Sequence, residues 1–252
     1  DIINRDKIDD LISLINEKYF LYKNLNTYLS YREKETDYTL SEIVAIVNVH
    51  ANNKWYNIEL KTDESLNELM LVNKFYALTK DYTPKNLTNI GLDYSYGTEG
   101  ENKLIDYAYE AFQELWDAAY KKGYYLMVTS SYRDYASQEE IYNYRKSTQG
   151  ERKADETAAR PGHSEHQTGL VVDMTSKSEP DAESFTESKA YAWLKENAYK
   201  YGYIERYPEG KTYITGYSPE SWHWRYVGRE AAKVMHDEDI TYDEYYAYYI
   251  EK

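Results

Sequence analysis

Arg160-Pro161-Gly162-His163-Ser164-Glu165-His166-Gln167-Thr168-Gly169-Leu170-Val171-Val172-Asp173 is the stretch on which the reading of this chain turns. From Gly169 to Met174 it has the apolar run of a buried strand, yet the carboxylate of Asp173 stands inside that run. A buried carboxylate without a partner would be expelled or protonated, so Asp173 must face a cation, a hydrogen-bond cluster or a metal. His166 precedes it on the same stretch. A second dense motif, Glu220-Ser221-Trp222-His223-Trp224-Arg225-Tyr226-Val227, sets His223 between large aromatics that would shield a site from water. Two histidines and one aspartate make an N/O ligand set that suits Zn²⁺ with its fourth position open. Hydrolysis then needs a base that is not a ligand, and Glu220 lies three residues before His223. In an unbroken strand these two would point to opposite faces, so a turn at Pro219 to Ser221 must re-aim Glu220. His163 is a second-ranked ligand because it sits further from the strand, and His50 and His236 read as ordinary histidines.

Working outward, Tyr124 to Thr129 reads as another strand, and the loop after it carries Ser131-Tyr132-Arg133. Arg133 at a strand end is a surface ion pair or a fixed fork for a substrate carboxylate, a task that suits planar guanidinium better than lysine. Ser137 with Glu140 predicts a capping box opening a helix through about Lys146, whose first turn brings Gln138 near the same place. Leu104, Ala108, Ala111, Phe112, Leu115 and Ala119 form one helical stripe ending at Gly123. The charged segment Gln149 to Arg160 reads as a loop. Helices are expected over about Glu187 to Tyr201 and Arg229 to His236, a strand over Trp222 to Val227, and a last helix capped by Thr241 and Glu244. Strands interleaved with helices without regular alternation predict an α+β domain over residues 66–252, with a small antiparallel sheet flanked by helices.

Residues 1–65 read as a mainly helical appendage. Ile8, Leu11, Ile12 and Ile15 fall at helical spacing, and Thr39 with Glu42 predicts a capping box before Ile43. Leu69 to Lys74 reads as a buried strand or entry segment leading into a turn. Hydrophobic residues make up 42% of the 252, but 32 of them are tyrosines, which leaves about 74 other apolar residues, still enough for a core in a chain of this length. The formal net charge is −14 and no run of basic residues exceeds two, which excludes a nucleic-acid partner of the phosphate-binding kind. There is no cysteine, hence no disulfide framework and no thiolate ligand or nucleophile. Apolar stretches such as Ile43 to Val47 are far below the roughly 18 residues of a membrane span. The chain begins at Asp1 without a leader, as a processed or trimmed protein would.

Taken in order, Ser131-Tyr132-Arg133, Pro161 to Asp173 and Tyr217-Ser218-Pro219-Glu220-Ser221-Trp222-His223-Trp224-Arg225-Tyr226-Val227-Gly228 resemble the VanY-type D-alanyl-D-alanine carboxypeptidases. These zinc peptidases include L,D-carboxypeptidases of the LdcB/DacB type. The resemblance covers about residues 66 to 236, with Leu71 to Lys74 similar to the family's entry motif. It implies a compact zinc peptidase domain in which His166, Asp173 and His223 are the Zn²⁺ ligands, Glu220 is the catalytic base and Arg133 binds substrate. Ser131, Gln138, Ser164 and Trp222, which lie in or beside the same motifs, are expected substrate contacts. Val171 replaces the family's usual alanine and Ser221 its common proline, departures that touch neither ligand nor base. The implied substrate is a peptidoglycan stem peptide ending in D-Ala, met outside the cytoplasmic membrane, with D,D cleavage favoured slightly over L,D. The implied alternatives are an endopeptidase with the same zinc site and a non-catalytic wall-peptide binding module.

Overall fold

The computed structural model describes residues 5–251. Three helices come first: α1 (Arg5–Ile15), α2 (Leu25–Lys34) and α3 (Leu40–Asn48). Thr39 and Glu42 form the expected capping box, and α3 is buried from Ile43 to Asn48. On α1 the helix expected from the spacing is present. Ile8, Ile12 and Ile15 are exposed, while Leu14 packs with Tyr28, Ile43, Val44 and Val47. Spacing tells which residues share a face; what covers that face is decided by the neighbours.

Two short pairings follow. β1 (Leu60–Lys61) pairs in parallel with β2 (Tyr76–Ala77), and β3 (Leu87–Asn89) pairs antiparallel with β4 (Lys103–Ile105). Between β1 and β2, Met70 to Phe75 is an irregular buried entry segment rather than a strand. It stays inside because its polar groups are met: Lys74 Nζ donates to the Asp155 and Gly216 carbonyls at 2.6 and 2.5 Å.

The next helix, α4 (Asp106–Tyr120), buries Ala108, Ala111, Phe112, Leu115 and Ala119 as read from the stripe, but Leu104 belongs to β4. β5 (Leu126–Ser130) leads through a short loop into α5 (Tyr135–Gln149). The cap of α5 is Asp134, whose carboxylate accepts from Ser137 N at 2.8 Å, so Ser137 supplies the amide rather than the cap. The charged stretch read as a loop contains a further helix, α6 (Glu151–Thr157), set off from α5 by Gly150 at φ 82°. Its one buried residue is Ala154, too little for a periodic signal.

The remaining elements are β6 (Val171–Ser176), α7 (Ala182–Thr186), α8 (Lys189–Asn197), β7 (Tyr203–Glu205), α9 (Thr212–Thr215), β8 (His223–Tyr226), α10 (Arg229–Glu238) and α11 (Tyr242–Tyr245). A π-helical turn carries α11 on to Glu251, and Thr241 with Glu244 caps it by the expected box. β5, β6, β8 and β7 form one antiparallel sheet in that spatial order. One face of it joins α4 and α8 in the largest core through Phe112, Leu115, Val172, Met174, Leu194 and Trp224. A second core gathers Leu71, Phe75, Ile204, Val227 and Tyr242, with Trp55, Ile58 and Leu60 packed against it. The architecture is therefore α+β with a small antiparallel sheet flanked by helices. Among the described residues no helix is long and apolar enough to cross a membrane.

Candidate active site

β6 and β8 run antiparallel with Asp173 directly opposite His223, and directly opposed residues point to the same face. Alternation along the strands sends Val172, Met174 and Trp224 into the core and leaves Asp173, His223 and Arg225 on the other side. His166 arrives from a tight turn, Glu165–Thr168, that ends at Gly169 with φ 69°. A Cβ at Gly169 would stand 3.0 Å from Leu87 and 3.1 Å from Pro84, so both the left-handed backbone and the close packing call for glycine.

His166 Nδ1 meets the Ser131 carbonyl at 2.6 Å. A carbonyl only accepts, so Nδ1 carries the proton and Nε2, 3.3 Å from Asp173 Oδ2, keeps its lone pair. His223 Nδ1 lies 3.1 Å from Asp173 Oδ1 and 3.6 Å from Glu220 Oε2. Its other nitrogen, Nε2, is 3.4 Å from Glu165 Oε2. Glu165 is wholly buried and paired with Arg206 at 2.8 Å and Arg225 at 3.2 Å. Burial alone would raise its pKa, but the two guanidiniums outweigh burial and hold it well below the carboxylate range. An ionised Glu165 fixes the proton on Nε2 and turns Nδ1 toward Asp173.

One ligand atom from each of His166, Asp173 and His223 lies within 4.8 Å of the others. Asp173 Oδ1 is buried without a well-formed hydrogen bond, and its polar neighbour is His223 Nδ1 at 3.1 Å, an arrangement that a cation between the two would satisfy. Burial would raise Asp173, yet the two imidazoles keep it far below its ordinary value. The donor set of two imidazole nitrogens and a carboxylate fits zinc with an open position. Without metal, the negative charges of Asp173 and Glu165 beside the ring overcome burial and push His223 up to about 9, so a metal held by its Nδ1 at neutral pH would displace a proton.

The opposed-face problem for Glu220 is solved by the backbone: strand β8 begins only at His223, and His223 N closes a turn on the Glu220 carbonyl at 3.2 Å. Glu220 N is tied to the Tyr207 carbonyl at 3.0 Å. Burial, with Asp173 adding and His223 opposing, pushes the Glu220 carboxyl up to about 7. Arg133 is held from two sides, donating to Gln138 Oε1 at 2.8 Å and Ser130 Oγ at 2.9 Å. Gln138 is itself anchored on the Ala159 carbonyl at 2.7 Å.

A cavity of about 730 Å³ is lined by the three candidate ligands, Glu220, Arg133, Gln138, Ser164 and Trp222. Ser131 is the exception among the expected substrate contacts. Its hydroxyl accepts from Lys103 N and donates to Asn102 Oδ1, so it serves the site through the carbonyl that holds His166. Gln138 lines the cavity but spends its amide orienting Arg133. His163 lies apart, with Nδ1 on the Asn73 carbonyl at 2.8 Å and its ring against the edge of Tyr56. Sequence reading missed Glu165, Arg206 and Arg225. Arg225 could have been found by parity, since it shares the strand face of His223, whereas nothing local pointed to Arg206.

The model of a family described as VanY, D-alanyl-D-alanine carboxypeptidase, matches residues 101–229, a span that contains all three candidate ligands, Glu220 and Arg133. YodJ of Bacillus subtilis (strain 168) is 45% identical over 183 residues, which are 71% of this chain and 67% of that protein. The solved LdcB LD-carboxypeptidase superposes with a TM-score of 0.72 at 42% identity, over 75% of this chain and 90% of that one. A variant of the vancomycin-resistance D,D-pentapeptidase VanY in complex with Zn(II) superposes with a TM-score of 0.61 at 34% identity, over 71% of this chain and 98% of that one. Likeness of this extent, running through the strands and turns that bring the metal-fitting side chains together, makes the chain a member of the VanY D-alanyl-D-alanine carboxypeptidase family and a zinc metallopeptidase.

Proposed function

We propose that the chain is a carboxypeptidase that releases C-terminal D-alanine from peptidoglycan stem peptides outside the cytoplasmic membrane, the D,D bond favoured slightly over the L,D bond. The observation that carries this reading is the pinned guanidinium of Arg133 in one cavity with Glu220 and the His-Asp-His set. Two of its five N–H groups are spent on Gln138 and Ser130, which leaves three to meet an anion. A free C-terminal carboxylate is the anion a carboxypeptidase must read, and its capture there sets the last peptide bond beside Glu220.

On this reading His166 Nε2, a carboxylate oxygen of Asp173 and His223 Nδ1 hold the metal. Zinc, when bound, supplies Lewis acidity and a nucleophile usable at neutral pH. Glu220 accepts the proton of the attacking water and delivers it to the nitrogen of the departing D-alanine, and a carboxyl poised near neutrality suits both transfers. Trp222, Tyr207 and Tyr217 wall the cavity and limit the entry of competing water. The LD-carboxypeptidase and the D,D-pentapeptidase among the similar structures represent both bond types, and the family description is what tilts the reading toward D,D.

The test offers a pentapeptide ending in D-Ala-D-Ala beside a tetrapeptide ending in Lys-D-Ala, each with a free or amidated C-terminus, and follows the products by mass spectrometry. Free peptides are cleaved, and amidation lowers kcat/KM by roughly 10- to 150-fold, the worth of a charge-assisted contact. Equal cleavage of free and amidated peptides overturns the carboxypeptidase reading.

A further inference from the structure

Arg145 lines the same cavity, yet the chemistry above leaves it without work. It is half-buried, and among the described residues its side chain makes one long hydrogen bond, 3.4 Å to Thr157 Oγ1, and no ion pair. Arg133, by contrast, is fastened at two points. Gln138, Ile141, Arg145 and Gln149 all face the cavity and follow one another at helical spacing, so a single face of α5 forms one wall. Seven residues of helix separate Gln138, the holder of Arg133, from Arg145, which is about 10 Å along the axis. An extended peptide covers that distance in about three residues. The wall therefore offers two cations, one beside the Gln138 end and one about three substrate residues away.

We infer that Arg145 binds a second carboxylate on the substrate, carried about three residues before the terminal carboxylate that Arg133 takes; this rests on the carboxypeptidase reading. The ligand class is a D-Ala-terminated peptide with an upstream acidic residue, whose free carboxylate comes from an ordinary side chain or from the α-position of a side-chain-linked glutamyl unit. Arg145 then sets which stem peptides are preferred and takes no part in bond cleavage.

The experiment uses synthetic pentapeptides ending in D-Ala-D-Ala whose second residue, three before the last, is glutamyl, α-linked or γ-linked, with its remaining carboxylate free or amidated. Zinc-loaded full chain, Arg145→Ala and Arg145→Lys are compared in steady-state kinetics and in equilibrium binding of the same peptides. The full chain should favour the free carboxylate by about 5- to 50-fold in kcat/KM, mostly through KM, a range reduced from a fully desolvated contact because Arg145 is half-exposed. Arg145→Ala should erase that preference and Arg145→Lys should restore part of it. The linkage with the larger preference identifies the source of the carboxylate. No preference in the full chain, or a preference that survives Arg145→Ala, overturns the inference. So does an equal fall in kcat on free and amidated peptides, which would mean that Arg145 acts through Glu220. Binding that discriminates without any turnover would sink the carboxypeptidase reading and leave the second anion site standing.

Discussion

Asp173 Oδ1, buried beside His223 Nδ1 without a well-formed hydrogen bond, and Glu165, which finds three cationic or polar partners, define the site at the scale of single residues. The first marks where a cation belongs. The second holds the candidate ligand that faces it. Replacing His166, Asp173 or His223 by alanine should abolish stoichiometric zinc in metal analysis, and His163→Ala should keep it; the reverse pattern for the two histidines 163 and 166 would overturn the ligand assignment. Glu220→Gln should retain the metal and lose at least about 100-fold in kcat, so near-normal turnover would remove Glu220 from the role of base. Glu165→Gln keeps the shape but removes the charge that pairs Arg206 and Arg225 and grips His223 Nε2. Zinc affinity should drop about 10- to 100-fold, as for other groups that orient a metal ligand, when measured by competition with a chelator. The same variant should unfold at lower denaturant by about 3 kcal/mol, since two buried guanidiniums lose a partner. Unaltered affinity would show that His223 is oriented by Asp173 alone.

At the scale of elements, the readable features were those whose cause is local. The capping boxes at Thr39 and Thr241, the strand around Asp173 and the halt of the α8 region at Gly202 each follow from residues a few positions apart. Features set by distant partners were not readable. Ser131 looks like a substrate contact until Asn102 and Lys103 are seen to occupy its hydroxyl. The spacing of Ile8, Ile12 and Ile15 shows a helix but not its cover, and it is Leu14 that packs against α3. Asp134 and Ser137 compete as caps for α5, and only the backbone geometry chooses Asp134. We keep the division near residue 65 as a proposal about sequence units, not about independent folding. Trp55, Ile58 and Leu60 pack with Leu71, Phe75 and Tyr242, and α3 places Ala45, Ile46 and Val49 against Ile214, Ala247 and Tyr248. A shortened chain of residues 66–252 should therefore be less stable than the full chain by more than about 3 kcal/mol in denaturant unfolding, because several large side chains lose their cover at once. Equal stability would mean that residues 1–65 add nothing to the second core.

Across the whole molecule the unusual choice is tyrosine as a core residue: Tyr28, Tyr203 and Tyr242 are completely buried in a chain that already carries a net charge of −14. Burial pushes the phenols of Tyr107, Tyr142 and Tyr213 up to about 12, and those of Tyr203, Tyr207 and Tyr217 well above their ordinary value. In the unfolded chain all of them ionise near pH 10. Below that pH both states are protonated and the phenols' contribution to stability is fully present. Above it the unfolded chain releases protons that the fold retains, so stability falls as pH rises toward the folded values. Lys74 works the other way, because burial lowers it to about 8 and the fold gains between that value and its ordinary 10.5. One lysine cannot offset many phenols, and each tyrosinate formed adds self-repulsion to an already anionic chain. The melting temperature should hold nearly level up to about pH 10 and then fall steeply by about pH 12. Over the same interval the tyrosinate absorbance of the buried rings should appear in step with the loss of far-ultraviolet ellipticity. If every tyrosine titrates smoothly near pH 10 while the ellipticity is unchanged, the phenols are not held protonated by the fold and the tyrosine-built core does not set the alkaline limit of this protein.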